Sequence, residues 1–158
     1  MARPKPSPPI PSLPMRGFAQ SLPMALLRAR EAVMRRFRPG LRSRGVTEQQ
    51  WRVVRALAHS GPMEVTALAT ATCLLAPSLS GILPGLESRG FISRRQLDSD
   101  LRRAVVSLEP KGHELIAAHA PDSEQIYDEI ARTFGQKRLD QLFKLLRELE
   151  ETLEQTAP

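Results

Sequence analysis

The stretch from Ala76 to Gly112 reads APSLSGILPGLESRGFISRRQLDSDLRRAVVSLEPKG. It opens as a helix. Pro77 suits a first-turn position that needs no amide donor, and Ser78 and Ser80 follow on the leading turn. Arg89-Gly90 predicts a basic last turn closed by a glycine beyond the C-cap. Ile92 to Leu97 and Ala104 to Leu108 then read as two strands, with Val106 and Leu108 giving a period of two. Between them lies a polar turn that carries Asp98, Asp100, Arg102 and Arg103. Pro84 is the discordant residue: a proline inside a helix removes a hydrogen bond and costs about 3 kcal/mol, which predicts a kink or an early weakening.

A helix followed by such a hairpin describes a winged helix. Small hydroxyls at Ser78 and Ser80 can approach base edges and phosphates of DNA. A hairpin tip holding Arg102 and Arg103 can enter a minor groove, with Asp98 or Asp100 bracing an arginine. An ordinary solvated hairpin is the alternative reading.

Upstream, Leu22, Ala25, Leu26, Ala29, Val33 and Phe37 fall near one helical face from about Ser21, and Pro39-Gly40 marks a break. Thr47 and Gln50 form a capping-box pattern ahead of Trp51, Val54, Leu57 and Ala58, and Ser60-Gly61-Pro62 ends that helix. A short helix from about Glu64 to Leu74 and the one from about Pro77 to Ser88 complete a helix-turn-helix. Downstream, a helix begins at about Pro110 and is disturbed at Pro121, with Ile126, Ile130 and Phe134 on one side. In the last helix Leu139, Leu142, Leu146, Leu149 and Leu153 alternate spacings of three and four, the mark of a stripe buried against another helix. Stripes at both chain ends are more economically covered between two copies than within one; an intramolecular hairpin is the alternative.

The expected organisation is a proline-rich arm over 1–20, with prolines at 4, 6, 8, 9, 11 and 14, and one domain over 21–158. Within it, 46–112 form the winged helix-turn-helix, and 21–45 and 113–158 the dimerisation helices. The fold class is therefore mainly α with a small β-hairpin wing, dimeric through its N- and C-terminal helices. Charge is uneven. Residues 1–60 hold 12 basic and 2 acidic groups, 61–120 hold 6 and 6, and 121–158 hold 5 and 9, so the basic excess sits at the N-terminal side. That asymmetry suits a polyanion, because lysine and arginine neutralising phosphates release counterions.

No run approaches the roughly 20 apolar residues of a membrane-spanning helix, and no apolar secretory core stands at the N-terminus, so no membrane partner and a cytoplasmic place are expected. His59, His113 and His119 are scattered, and no glycine-rich phosphate loop, HExxH or paired-cysteine spacing occurs. Enzyme chemistry, a metal and a cofactor are accordingly not expected. Cys73 reads as a small buried residue in a helix.

These residues carry a resemblance. From about Leu22 to Leu153 the chain resembles MarR-type (multiple antibiotic resistance) transcriptional regulators, whose wing commonly reads Asp-x-Arg and then Leu-x-Leu-Thr-x-x-Gly. The match here is Asp100-x-Arg102, Val106-x-Leu108 and Gly112, with Glu109 in place of threonine, which weakens N-capping of the next helix. A narrower likeness to repressors of the homoprotocatechuate (aromatic acid) degradation operon runs through Ala25-Leu26-Leu27-x-Ala29-Arg30-Glu31-Ala32, Phe37-Arg38-Pro39, Thr47-Glu48-Gln49-Gln50-Trp51-Arg52 and Pro77-Ser78-Leu79-x-Gly81-Ile82-Leu83.

The resemblance implies a homodimeric repressor on a near-palindromic site in double-stranded DNA, released by a small hydroxylated aromatic or heteroaromatic acid. Ser78, Ser80 and Arg102 are the candidate base or groove contacts, and Arg89, Arg94, Arg95 and Arg103 the candidate phosphate contacts. In the resembled family small anionic aromatics bind between the DNA-reading lobe and the dimerising helices. Arg28 or Arg30 would then pair the carboxylate and Trp51 cover the ring. A winged-helix module that binds protein partners without reading DNA is the alternative from another class.

Overall fold

The computed structural model describes residues 17–97 and 100–156; the side chains at 101 and 102 also lie outside the description. The chain divides into two compact units, Met1–Arg35 and Arg36–Pro158. The proline-rich stretch to residue 16 lies outside the described residues.

In the first unit a short turn of 3-10 helix at Phe18–Gln20 precedes α1, Leu22–Ser43, which continues into the second unit. Leu22, Leu26, Leu27 and Val33 are exposed, and of the apolar face expected on α1 only Phe37, joined by Leu41, is buried. The break expected at Pro39-Gly40 does not occur. The helix runs on to Ser43 and turns at Gly45 with φ 65°. Gly40 serves packing instead, since a Cβ there would stand 3.1 Å from the His119 ring.

The second unit continues with α2 (Glu48–Ser60), β1 (Met63–Glu64), α3 (Val65–Thr72), α4 (Ala76–Ser88), β2 (Ile92–Leu97), β3 (Asp100–Leu108), α5 (Pro110–Phe134) and α6 (Gln136–Gln155). The capping box on α2 is present in both directions, Gln50 N–H to Thr47 Oγ1 at 3.1 Å and Thr47 N–H to Gln50 Oε1 at 3.0 Å. Val53, Val54 and Leu57 of α2 meet Leu68 of α3, Leu79, Leu83 and Leu86 of α4, Ile92 of β2 and Val106 of β3 in one core. Val53 replaces the expected Ala58, which is exposed.

Glu64 is the N-cap of α3, which opens at Val65 as expected to within a residue. With Met63, Glu64 also forms a two-residue strand antiparallel to β3, so the sheet has three strands in the order β1-β3-β2. Arg52 of α2 donates to the Thr72 carbonyl at 2.7 Å and holds the end of α3. Cys73 follows in the left-handed region, φ 50°, and is exposed: it caps α3 and starts the turn into α4, which corrects its reading as a buried helical residue. Helices α4 and α5 each carry an internal proline at the position where a kink or disturbance is expected. Both helices are continuous through Pro84 and Pro121, and each proline is exposed, where solvent can serve the carbonyl that lacks an amide partner. At Pro121 the Arg44 guanidinium also reaches this turn, donating to the Ala118 carbonyl at 2.6 Å and to Asp122 at 2.7 Å.

The start of α5 behaves as its sequence implies. Pro110 occupies the first turn, and Glu109 at the N-cap makes no side-chain capping bond. Gly135, φ 95°, turns the chain into α6, of which no residue is buried.

Candidate nucleic-acid interface and aromatic cluster

Helix α4 sorts its residues by periodicity. Leu79, Leu83 and Leu86 are buried, and Pro77, Ser78, Ser80, Gly81 and Pro84 are exposed along the other side. Leu75 at the N-cap provides no side-chain capping bond, and Pro77 in the first turn has no amide to satisfy. The far end closes as the sequence implies. Gly90, φ 74°, donates to the Glu87 carbonyl at 2.9 Å and Phe91 to the Leu86 carbonyl at 3.0 Å, the paired bonds of a Schellman turn.

The hairpin is tighter than expected. Asp100 to Arg103 belong to β3, and only residues 98 and 99 remain between the strands, so Arg103 stands in a strand and not at a tip. Pairing runs in step from Ile92 with Leu108 to Gln96 with Ala104, then jumps to Leu97 with Asp100. The register shift makes residues 101–103 a bulge in the backbone of β3. The sequence pattern assigned these residues to the turn because bulged residues break the alternation that marks a strand.

The arginines differ in their surroundings. Arg94 reaches back to α4 and donates through Nε and Nη2 to one Glu87 oxygen at 2.8 and 2.6 Å, and this bond holds the Glu87 carboxyl below its usual range. Arg103 makes a two-pronged pair with Glu64 at the start of α3. Arg95 is exposed and has no ion pair among the described residues. Arg89 turns inward onto the Gly45 and Arg44 carbonyls. The Arg102 and Asp98 side chains lie outside the described residues; Asp100 is half-buried.

Among the candidate ligand residues, Arg28 is exposed, and Arg30 is exposed and pairs with Glu31 at 3.0 Å, both in the first unit. Trp51 is half-buried in the second. Its ring meets His119 of α5 edge-on, centroids 4.5 Å apart. His119 is fully buried, and neither ring nitrogen has a hydrogen-bond partner among the described residues. Burial, reinforced by the positive charge of Arg44 and opposed by Asp122, pushes its pKa below the ordinary 6.5, and Arg55 adds to the lowering. Phe37 of α1 and Tyr127 of α5 form a second ring pair, tilted by 57° with centroids 5.1 Å apart. Sequence reasoning treated His119 as one of three scattered histidines. The placement of Trp51 on the apolar side of α2 is legible in sequence; its pairing with a residue far along the chain is not.

His119 predicts a pH dependence. Its neutral form is the folded one, so the unfolded chain binds the extra proton. Stability is then flat above about pH 6.5 and falls as the pH drops through the unfolded value toward the lower folded value. Chemical denaturation at pH 7.5 and 5.5 should show a larger loss for the native chain than for His119→Phe; equal losses would remove His119 from the account.

Comparison with known proteins bears on this geometry. Residues 46–104 match the model of the MarR family. The homoprotocatechuate degradative operon repressor of Escherichia coli is 41% identical over 81% of this chain and 86% of its own. A transcriptional regulator of known crystal structure is 43% identical, with a TM-score of 0.81, over 87% of this chain and 98% of its own. The regulator NadR, solved in complex with 4-hydroxyphenylacetate, is 36% identical with a TM-score of 0.74, over 87% of this chain and 97% of its own.

Proposed function

The chain belongs to the MarR family of transcriptional regulators, not to an enzyme family, and from that premise we propose that it represses an aromatic-acid catabolic operon by binding a near-palindromic DNA site as a homodimer. The observation that carries the DNA reading is the exposed edge of α4. Its small, uncharged residues, Ser78, Ser80 and Gly81, leave room for close approach to base edges, and the adjoining wing supplies the arginines. Ser78, Ser80 and Arg102 read bases or groove shape; Arg94, Arg95 and Arg103 neutralise phosphates. Arg94 and Arg103 are held by Glu87 and Glu64, which fixes their heads in advance of contact. Two such readers on a two-fold axis meet half-sites about one helical turn apart. Among the described residues no single helix is long and apolar enough to cross a membrane.

The inducer is a small hydroxylated aromatic or heteroaromatic acid. Trp51 offers a ring face, the buried unpaired nitrogens of His119 offer hydrogen bonds, and Arg55 offers a cation one turn from Trp51. Arg28 and Arg30 are the carboxylate candidates of the first unit. The acid relieves repression by binding more tightly to the arrangement that misfits DNA, and linkage makes DNA disfavour the acid by the same factor.

Titration of the chain's own upstream DNA at several salt concentrations, with and without hydroxylated phenylacetates, benzoates and nicotinates, tests this reading. Saturable, sequence-selective binding that one acid weakens is expected; binding that is only weak and salt-sensitive sinks it. Arg102→Ala should lower affinity and reduce the salt slope by about one unit, and an unchanged affinity and slope would remove the wing from the DNA contact. Wild-type affinity for the acid in both Arg28→Ala and Arg30→Ala would remove these two from the ligand site.

A further inference from the structure

Arg89 ends the reading helix, and its guanidinium, half-buried, folds back onto the turn after α1. Nη1 donates to the Gly45 carbonyl at 2.7 Å, Nη2 to the Arg44 carbonyl at 3.4 Å, and the group lies 4.5 Å from the centre of the Phe91 ring. Both carbonyls belong to the turn after α1, where orphan carbonyls and the negative end of the helix dipole favour a cation. The turn is anchored in its own right. The Arg44 side chain donates to the Gly40 carbonyl at 3.0 Å, and to Ala118 and Asp122 of α5. Two arginines therefore tie the end of α4 and the root of the wing, at Phe91, through one turn to α5.

We propose that Arg89 is a positioning residue for DNA reading: it sets the angle at which α4 leaves the body of the protein, and it does not itself neutralise a phosphate. The inference rests on the DNA-binding function proposed above and assigns within it a role opposite to the one its charge suggests. Leverage makes the angle matter. Ser78 stands eleven residues before Arg89, roughly 16 Å along the helix at 1.5 Å per residue. A tilt of about 10° at the C-terminal end moves the leading turn by roughly 3 Å, several times the tolerance of a hydrogen bond to a base. A planar guanidinium that bridges two carbonyls and stacks on a ring is poorly replaced by an ammonium group.

That difference provides the test. Wild type, Arg89→Lys and Arg89→Gln are titrated against a duplex selected by the wild type from a random pool, and against a scrambled duplex, across a range of salt. Both variants are expected to lose tenfold or more on the selected duplex, while affinity for the scrambled duplex stays within about twofold and the salt slope is unchanged. Asp122→Asn, which loosens the Arg44 anchor without altering Arg89, should weaken selective binding by about threefold and keeps the test available if an Arg89 variant fails to fold. Restoration by lysine with a slope lowered by about 0.9 in the glutamine protein marks a phosphate contact and overturns the proposal. Unchanged selective binding in the variants that fold also overturns it. A wild type that selects no duplex defeats the DNA-binding function itself, an outcome distinct from both.

Discussion

Leu142→Asp combined with Leu146→Asp converts the dimer into a monomer and lowers operator affinity by at least a hundredfold. These leucines lie on the α6 stripe with Leu139, Leu149 and Leu153, and α6 buries no residue within its own chain. Leu142 and Leu146 are 40% and 39% exposed, so a second copy docked on this stripe would cover a substantial part of each. Full burial of a leucine contributes about 1.5–3 kcal/mol, and a share near 1 kcal/mol is reasonable here. Two-fold symmetry counts each substitution twice, giving about 4 kcal/mol, or roughly a thousandfold in the dimerisation constant, before the cost of four carboxylates facing an apolar seam. A monomer holds one reader and loses the second, effectively intramolecular, half-site contact. Sedimentation and DNA titration measure the two effects. A double variant that remains dimeric at micromolar concentration would show that α6 is not the seam.

Gly112→Ala destabilises the second unit by about 2 kcal/mol, a fall of roughly 5 °C or more in Tm. A Cβ at this position would lie 2.4 Å from Leu108 Cδ1 and 2.5 Å from the Phe91 carbonyl oxygen. The leucine can rotate away, but the carbonyl cannot: it accepts the Glu109 amide at 3.0 Å, just where β2, β3 and α5 join. Alanine gains about 1 kcal/mol of helix propensity over glycine, and the collision with a fixed backbone atom outweighs it. The damage falls at the root of the wing, so DNA affinity should decline with Tm. A stabilised Gly112→Ala protein would mean that α5 shifts freely against the sheet. The wing pattern ending in Gly112 thus has a steric cause: helix α5 must start in contact with the strand it follows.

Local chemistry made much of this fold legible. Thr47 and Gln50 cap α2 because their reciprocal bonds span three residues. Pro77, the Arg89-Gly90 close and the period-two strands placed α4 and the wing for the same reason: each signal is satisfied within a turn or two of chain. Misreadings occurred where a local signal yielded to packing. Pro39-Gly40 looks like a break, but the helix continues, and Gly40 admits the buried His119 ring. Strand β1 is too short to show a period and exists only because β3 lies beside it. Cys73 looks like a buried helical residue and instead takes the left-handed turn between α3 and α4.

The site divides along the same line. Exposure of Ser78 and Ser80 follows from helical period alone, because Leu79, Leu83 and Leu86 must face the core. The fate of each arginine does not follow, since charge is visible in sequence and its partner is not. Arg94 meets Glu87 seven residues away, Arg103 meets Glu64 across the sheet, and Arg89 meets carbonyls more than forty residues upstream. His119 meets Trp51 at comparable range. The sequence by itself therefore determined the helices and the two wing strands, their order, the family and the outward edge of the reading helix, all set by interactions a few residues long. Only the tertiary structure decided which cations remain outward, which one meets the turn after α1, and where a histidine is buried with no hydrogen-bond partner among the described residues, because those depend on contacts between distant parts of the chain.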